Sequence, residues 1–133
     1  ETVTVEVFKG VNGWLAVMKD ILKTSNEYVA FGEDKSFQKV MGTLAKQYIR
    51  KLNEGKIKER LLVPDGQKVL VGKNSEVRYL PKNISLPSIT TVYGNRVAIA
   101  IFQEPYYAIV IESKELSQTY SSLFEFLWKI AKK

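Results

Sequence analysis

The stretch Ser88–Phe102, which reads SITTVYGNRVAIAIF, predicts a β-hairpin in the second half of the chain. Gly94 and Asn95 supply the two-residue turn, because a tight hairpin turn needs residues that tolerate a positive φ. The second arm is apolar throughout after Arg96, and so is the segment Tyr106–Ile111, YYAIVI. Continuous apolar runs are typical of strands covered on both faces. We therefore expect both segments to be central strands.

The first half of the chain reads as strands that alternate with helices. Apolar and polar residues alternate with period two in Thr2–Phe8, and apolar residues recur at helical spacing from Val11. Short strands are predicted over Glu27–Phe31 and Ile57–Val63, with a second helix over Phe37–Asn53 between them. The order β-α-β-α-β favours parallel strands joined by right-handed crossovers.

The remaining segments complete the fold prediction. Val69–Leu80 is ambiguous apart from a short strand at Glu76–Leu80. A last helix is predicted over Lys114–Ala131, with Ser113 as its N-cap. We therefore predict one α/β domain over residues 1–133. Its mixed sheet has a β-α-β-α-β start and an antiparallel second half, and a C-terminal helix follows.

Composition narrows the chemistry. The 133 residues carry 20 Lys and Arg against 14 Asp and Glu, a net charge of +6, and no Cys or His. A disulfide, a thiolate nucleophile, a histidine-containing triad and the usual zinc sites are thereby excluded. We predict a binding or regulatory domain that is not an enzyme and uses no metal or cofactor. No signal peptide or membrane-length apolar run is present, so we predict a cytoplasmic location and no membrane partner.

Four residues are predicted to line a ligand pocket beyond the strand ends. Glu33 and Asp34 follow a predicted strand, at the edge where α/β sheets place their ligands. Their carboxylates would accept hydrogen bonds from ligand hydroxyls, although the macrodipole also favours such a pair at a helix N-terminus. Arg78 would pair with an anionic or hydroxylated ligand, and Tyr79 lies beside it. The effector predicted for this pocket is a sugar or an anion.

Two further features point to macromolecular partners. The stretch Lys46–Arg60 is crowded with basic residues, which either contact phosphates or form a solvated helix end. The last helix carries Phe126, Trp128 and Ile130 outside its main apolar stripe. These three residues either pack under a neighbouring loop or form a subunit or inter-domain interface.

Four segments together resemble the domain that follows the winged helix in archaeal TrmB-like transcriptional regulators. They are Glu76–Pro81 (EVRYLP), Val92–Ile99 (VYGNRVAI), Ile109–Glu115 (IVIESKE) and Phe124–Ile130 (FEFLWKI). The similarity covers nearly the whole chain, and the order and spacing of the segments carry it. It implies a phospholipase D-like fold. It also implies a DNA-binding winged helix upstream, which agrees with a chain that begins without a methionine.

The resemblance also bears on catalysis. The phospholipase D motif, HxKxxxxD, lies on a hairpin like the one predicted above. Neither of the two registers that fit the hairpin turn supplies a catalytic residue. The motif's His, Lys and Asp fall at Pro87, Ile89 and Gly94 in one register, and at Ser88, Thr90 and Asn95 in the other. The resemblance therefore implies a catalytically inactive form of the fold.

These observations lead to one main prediction and two alternatives. We predict an effector-sensing or dimerisation domain of a TrmB-like regulator. It would form a homodimer, because palindromic operators match a two-fold protein, and the upstream domain would contact the DNA. A module that binds nucleic acid directly through the Lys46–Arg60 surface is the alternative. A carboxylate-based hydrolase is a less favoured one.

Overall fold

The computed structural model describes residues 2–133, except for the side chain of Asp34, and this part of the chain contains seven strands and four helices. The elements in chain order are β1 (Thr4–Lys9), α1 (Val11–Thr24), β2 (Glu27–Gly32), α2 (Asp34–Met41), α3 (Thr43–Glu54), β3 (Lys58–Val63), β4 (Ser75–Tyr79), β5 (Ile89–Tyr93), β6 (Arg96–Ile101), β7 (Tyr107–Glu112) and α4 (Lys114–Ile130). The strands form one sheet in the order β1-β7-β6-β5-β2-β3-β4.

The sheet is mixed, as predicted. β2, β3 and β4 pair in parallel, whereas β2 and β5, β5 and β6, β6 and β7, and β7 and β1 pair antiparallel. The α/β class, the antiparallel second half and the C-terminal helix are confirmed. The order of the first strands differs from the simplest expectation. β1 runs in the same direction as β2, but β5, β6 and β7 lie between them.

The predicted helix over Phe37–Asn53 is in fact two helices separated by Gly42. Gly42 has φ 56° and ψ −127°, a conformation that glycine adopts without the steric cost of a Cβ. The apolar stripe continues across the break, since Met41 on one side and Ala45 on the other are both buried. Hydrophobic spacing alone therefore did not reveal where the helix ends.

The two faces of the sheet are covered unequally. α1, α2 and α3 cover one face and enclose a core that includes Trp14 and Leu52. α4 lies across β2, β5 and β6 on the other face and buries Phe124 completely. Ser113 caps α4 as predicted, because its hydroxyl accepts a hydrogen bond from the Leu116 N–H at 3.1 Å.

β6 and β7 are interior strands of the sheet. The sequence predicts that β7 is covered on both faces, but one of its faces is partly exposed. Ile109 and Ile111 of β7 pair with Val7 and Val5 of β1, so these four side chains share one face. Both isoleucines are only half-buried, because α4 crosses the same face over β2, β5 and β6. None of the described helices is both long enough and apolar enough to cross a membrane.

Candidate functional site

The sheet edge at the end of β2 is where the sequence predicts a ligand. Gly32 has φ 139°, and a Cβ there would lie 1.9 Å from the carbonyl oxygen of Ser88. The Glu33 N–H donates to the same oxygen at 3.3 Å. The end of β2 is therefore pressed against the residue that precedes β5, an approach that only glycine permits. The same residue, Ser88, takes the histidine position in one register of the phospholipase D motif.

Glu33 lies at this edge, where it is bound within the chain. Its carboxylate accepts a hydrogen bond from the side-chain amide of Gln67, in the segment that follows β3. The oxygen of the same Gln67 amide accepts from the Lys35 N–H at 3.2 Å. Gln67 thus holds the start of α2 against the segment after β3. The side chain of Asp34 lies outside the described part of the structure.

Arg78 and Tyr79 lie on β4, where Arg78 contacts the C-terminal end of α4 and Tyr79 contacts the segment that follows it. Arg78 donates to the Trp128 carbonyl at 2.8 Å, and its guanidinium carbon lies 4.4 Å from the centre of the Trp128 ring. The backbone of Tyr79 exchanges two hydrogen bonds with Lys132, at 2.6 and 2.8 Å. Arg78 is therefore held against α4, whereas Glu33 is held against Gln67. The ligand-binding role of these residues stays a prediction.

The three residues proposed for an interface have different surroundings. Trp128 is 8% exposed and stacks on Phe124, with the ring centres 5.5 Å apart. Phe126 and Ile130 are 64% and 49% exposed on the same helix. Trp128 is therefore a core residue of this chain, which leaves Phe126 and Ile130 as the members that another molecule can reach.

A larger apolar surface adjoins the α4 face, and sequence reasoning missed most of it. Val5 and Val7 are 60% and 65% exposed, and they lie on the same face as the half-buried Ile111 and Ile109. Val3, just ahead of β1, is 60% exposed. Leu123 of α4 is 50% exposed. The β1–α4 apolar surface is defined as Val3, Val5, Val7, Ile109, Ile111, Leu123, Phe126 and Ile130. The period-two alternation of β1 indicated which residues share a face but not that this face is open.

A buried polar network lies between α3 and the sheet, and sequence reasoning missed it too. The Tyr48 hydroxyl donates to the Tyr28 hydroxyl at 2.9 Å, and Tyr28 donates to the carboxylate of Glu59. The Ser75 hydroxyl donates to the other Glu59 oxygen at 2.7 Å. Burial raises the pKa of both tyrosines well above the ordinary value. Both hydroxyls therefore stay protonated even at alkaline pH near 10, as donors beside a mainly apolar cavity of about 100 Å³.

A second polar group lies in a cleft between α1 and β1. Arg96 donates to Asp20 at 2.7 Å and to Glu112 at 3.3 Å, and the Tyr93 hydroxyl donates to Asp20 at 2.9 Å. Burial, and then the hydrogen bond to Asp20, raise the pKa of Tyr93. The cleft has a volume of about 250 Å³, and Glu6 also lines it. Arg96 of β6 bridges the carboxylates of Asp20 on α1 and Glu112 on β7, and it therefore links β6 and β7 to α1.

Comparison with solved structures, and not with known sequences, identifies the fold of this chain. No protein-family model matches the sequence, and no curated protein sequence matches it significantly. NucT from Helicobacter pylori has a TM-score of 0.75 at 9% identity, over 98% of this chain and 99% of NucT. Nuc from Salmonella typhimurium, a phospholipase D family member, has a TM-score of 0.67 at 12% identity, over 98% and 97% of the two chains. The fold is phospholipase D-like.

A third similar structure bears on the resemblance to TrmB-like regulators. TrmBL2, an archaeal chromatin protein whose structure shows a novel mode of DNA binding, has a TM-score of 0.66 at 14% identity. The match covers 97% of this chain but 54% of TrmBL2, so the chain spans about half of that protein's length. Identities this low establish the shared fold, and a regulator role belongs to the proposal below.

The prediction that the chain is not an enzyme is wrong. It rested on the missing histidine and on the empty motif positions, but NucT and Nuc are phospholipase D-family nucleases. The fold that this chain shares is thus one that enzymes use. What the missing histidine excludes is a covalent phosphohistidine, which is a single route of phosphodiester chemistry.

Proposed function

We propose that this chain is the dimerisation domain of a DNA-binding regulator of the TrmB-like type. The β1–α4 apolar surface carries the proposal. Soluble monomers rarely expose large apolar patches unless the patch has a binding role. In this chain six large apolar residues of that surface, at and just ahead of β1 and on α4, are at least 49% exposed: Val3, Val5, Val7, Leu123, Phe126 and Ile130.

A second copy of this chain is the occupant that suits this surface best. A two-fold dimer uses the same patch on both subunits, and an apolar patch without charges is self-complementary. Neighbours with a phospholipase D-like fold are typically dimeric, which supports the same choice. DNA contact is assigned to a winged helix outside this chain, as the resemblance to TrmB-like regulators implies. TrmBL2, whose structure shows DNA binding, is consistent with this because the chain spans about half of its length.

Effector sensing is the less supported part of the proposal. Arg78 already donates one guanidinium hydrogen bond to the Trp128 carbonyl and stacks on the Trp128 ring, so it is held against α4. A thermal-shift screen against sugars and sugar phosphates tests this part. A specific ligand at about 100 times its dissociation constant adds roughly 2.7 kcal/mol of stability. If no compound changes the melting temperature, the effector role fails and dimerisation is unaffected.

Oligomeric mass tests the dimer directly. Light scattering after size exclusion should give twice the chain mass of 15.2 kDa for the natural sequence. The double variant Val5→Glu/Phe126→Glu should give the single mass, because it places charges in the apolar contact. Val71→Glu is the matched control, since Val71 is 44% exposed in the segment after β3 and lies outside the β1–α4 apolar surface. A natural chain that is monomeric at 100 µM contradicts the proposal.

Phosphodiester hydrolysis is a second candidate function, favoured by the likeness to NucT over almost the full length of both chains. The reaction would use groups other than histidine at the edge where Gly32 meets Ser88. Glu33 is the described carboxylate at this edge. Release of nitrophenol from bis(4-nitrophenyl) phosphate tests this candidate, with Glu33→Gln as the variant. Turnover that disappears in the variant supports it, and turnover equal in both rules out Glu33.

A further inference from the structure

A group of exposed cations on α2 and α3 has no part in the function proposed above. Lys35 and Lys39 are four residues apart on α2, and Lys46 and Arg50 are four apart on α3. All four are exposed. Residues spaced by four lie on the same side of a helix, so each helix presents a pair of cations to the solvent.

The segment 64–74, between β3 and β4, adds cations to the same side of the molecule. The Gln38 side chain of α2 donates to the Lys68 carbonyl at 3.1 Å. The Lys73 N–H donates to the side chain of Asn53, near the end of α3, at 2.7 Å. The segment therefore runs along both helices. The basic surface is defined as Lys35, Lys39, Lys46, Arg50, Lys51, Lys68 and Lys73, all of them exposed.

These cations are not neutralised within the described part of the chain. The ion pairs found there join Arg60 to Glu125, and Arg96 to Asp20 and Glu112. The described carboxylates on α2, α3 and the segment 64–74 are those of Glu54 and Asp65. With Asp34, the first residue of α2, the sequence places three carboxylates on these segments. Seven exposed cations against three carboxylates create a positive field, which attracts a polyanion.

The basic surface differs from the stretch Lys46–Arg60 that the sequence indicated. Arg60 lies on the α4 face, where it binds Glu125 at 2.6 Å and lies 5.1 Å from the centre of the Phe124 ring. Neighbours in sequence are thus divided between the two faces of the sheet. Lys35 and Lys39, which precede that stretch, belong to the surface instead.

The aromatic residues of α2 and α3 indicate whether the polyanion is a single-stranded or a duplex nucleic acid. Phe37 stacks against Trp14 with the ring centres 6.1 Å apart, and Tyr48 is 7% exposed. Among the described residues of these helices, neither ring is available to stack on unpaired bases, as single-strand binders require. Cations one turn apart, about 6 Å along the helix axis, are suited to contacts with backbone phosphates. We propose that the basic surface binds the phosphate backbone of duplex DNA without reading its sequence.

The proposal goes beyond dimerisation, because it places a DNA contact on this chain itself. The test is binding of the whole chain to a fluorescent 20-base-pair duplex at several salt concentrations. Affinity should fall linearly with the logarithm of salt concentration, with a slope of about −0.9 for each phosphate contacted. Lys46→Glu/Arg50→Glu should weaken binding at least about tenfold and reduce the slope by about 1.8.

The matched control is Lys82→Glu/Lys114→Glu. It makes the same change in net charge at two exposed lysines outside the basic surface, one of them the first residue of α4. Circular dichroism checks that both variants fold. The proposal predicts that only the first variant loses affinity and slope. It is overturned if both variants lose affinity equally, if the natural chain does not bind at 50 mM salt, or if it binds single strands or anionic vesicles more tightly than duplex. Oligomeric mass is measured separately, so the two proposals can fail independently.

Discussion

Three helices cover one face of the sheet and one helix covers the other, although apolar residues point to both faces. On the three-helix face the helices enclose even a polar group, the carboxylate of Glu59, which is 5% exposed. On the α4 face, Val7 is 65% exposed on a regular strand. Apolar residues that alternate along the strands are thus buried on one face and partly exposed on the other, because three helices cover the first face and only one covers the second. The first face is complete within one chain, and we propose that the second is completed by another.

The largest expected effect comes from the residue that anchors α4. Phe124→Ala removes a side chain that is 0% exposed and lies 6.1 Å from Phe31 between ring centres. The free energy of unfolding should fall by about 3–5 kcal/mol, measured by urea denaturation. Phe126→Ala is the matched control on the exposed side of the same helix, and it should change the stability of the monomer by less than about 0.5 kcal/mol. Equal losses would mean that α4 is not packed as described.

The three-helix face should respond to alkaline pH. The pKa values of Tyr28 and Tyr48 are raised in the folded state, mainly by burial. Above the ordinary tyrosine pKa of about 10, the unfolded chain loses these protons and the folded chain keeps them. Stability should therefore fall as pH rises above 10, by about 1.4 kcal/mol per pH unit for each buried tyrosine. Urea denaturation between pH 9 and 11 measures the slope, and a flat profile contradicts the burial of both hydroxyls.

Removing one hydroxyl from the buried network sharpens this test. Tyr28→Phe leaves the Glu59 carboxylate without one of its donors, while the hydroxyl of Ser75 remains. A hydrogen bond to a charged group contributes about 1.5–3 kcal/mol, and the loss at neutral pH should lie in that range. The alkaline slope should also decrease by the share of one tyrosine. A loss at neutral pH with an unchanged slope would mean that burial does not raise the pKa of Tyr28.

The smallest effect is expected on the open part of the α4 face. Val7→Thr changes a 65% exposed residue and should alter the stability of the monomer by less than about 0.5 kcal/mol. Val97→Thr makes the same change at a position with 0% exposure, where an unpaired hydroxyl should cost about 1–3 kcal/mol. Thermal unfolding at a concentration below dimer formation compares the two. If Val7→Thr costs as much as Val97→Thr, then β1 is covered within the monomer.

Local patterns were enough to predict most of the fold. The turn at Gly94 and Asn95, the cap at Ser113 and the elements on either side of each were correct, because each depends on residues close in sequence. The position of β1 was missed, because alternation does not say which strand pairs with which. The break at Gly42 was missed because a glycine within an apolar stripe looks like one in a continuous helix.

Less of the candidate site was predictable. Glu59 reads as one charged residue among many, and its burial depends on Tyr28 and Tyr48, which lie 31 and 11 positions earlier in the sequence. Trp128 was expected at an interface because it lies outside the main stripe, but Arg78 and Phe124 enclose it. The prediction that the chain is not an enzyme was wrong because the absence of one catalytic motif was taken to exclude every activity of the fold.

The strand order also determines where on this domain a module joined to either end of the described chain would be attached. β1 forms one edge of the sheet, and Lys132 pairs with Tyr79 of β4 at the opposite edge. With about 4.8 Å between neighbouring strands, the two edges are roughly 29 Å apart. A module joined ahead of β1 would be attached next to the β1–α4 apolar surface. A module joined after α4 would be attached at the opposite edge of the sheet, beside β4. In a two-fold dimer formed through that surface, two amino-terminal modules would sit side by side, and their spacing would follow from the interface and not from the length of a linker.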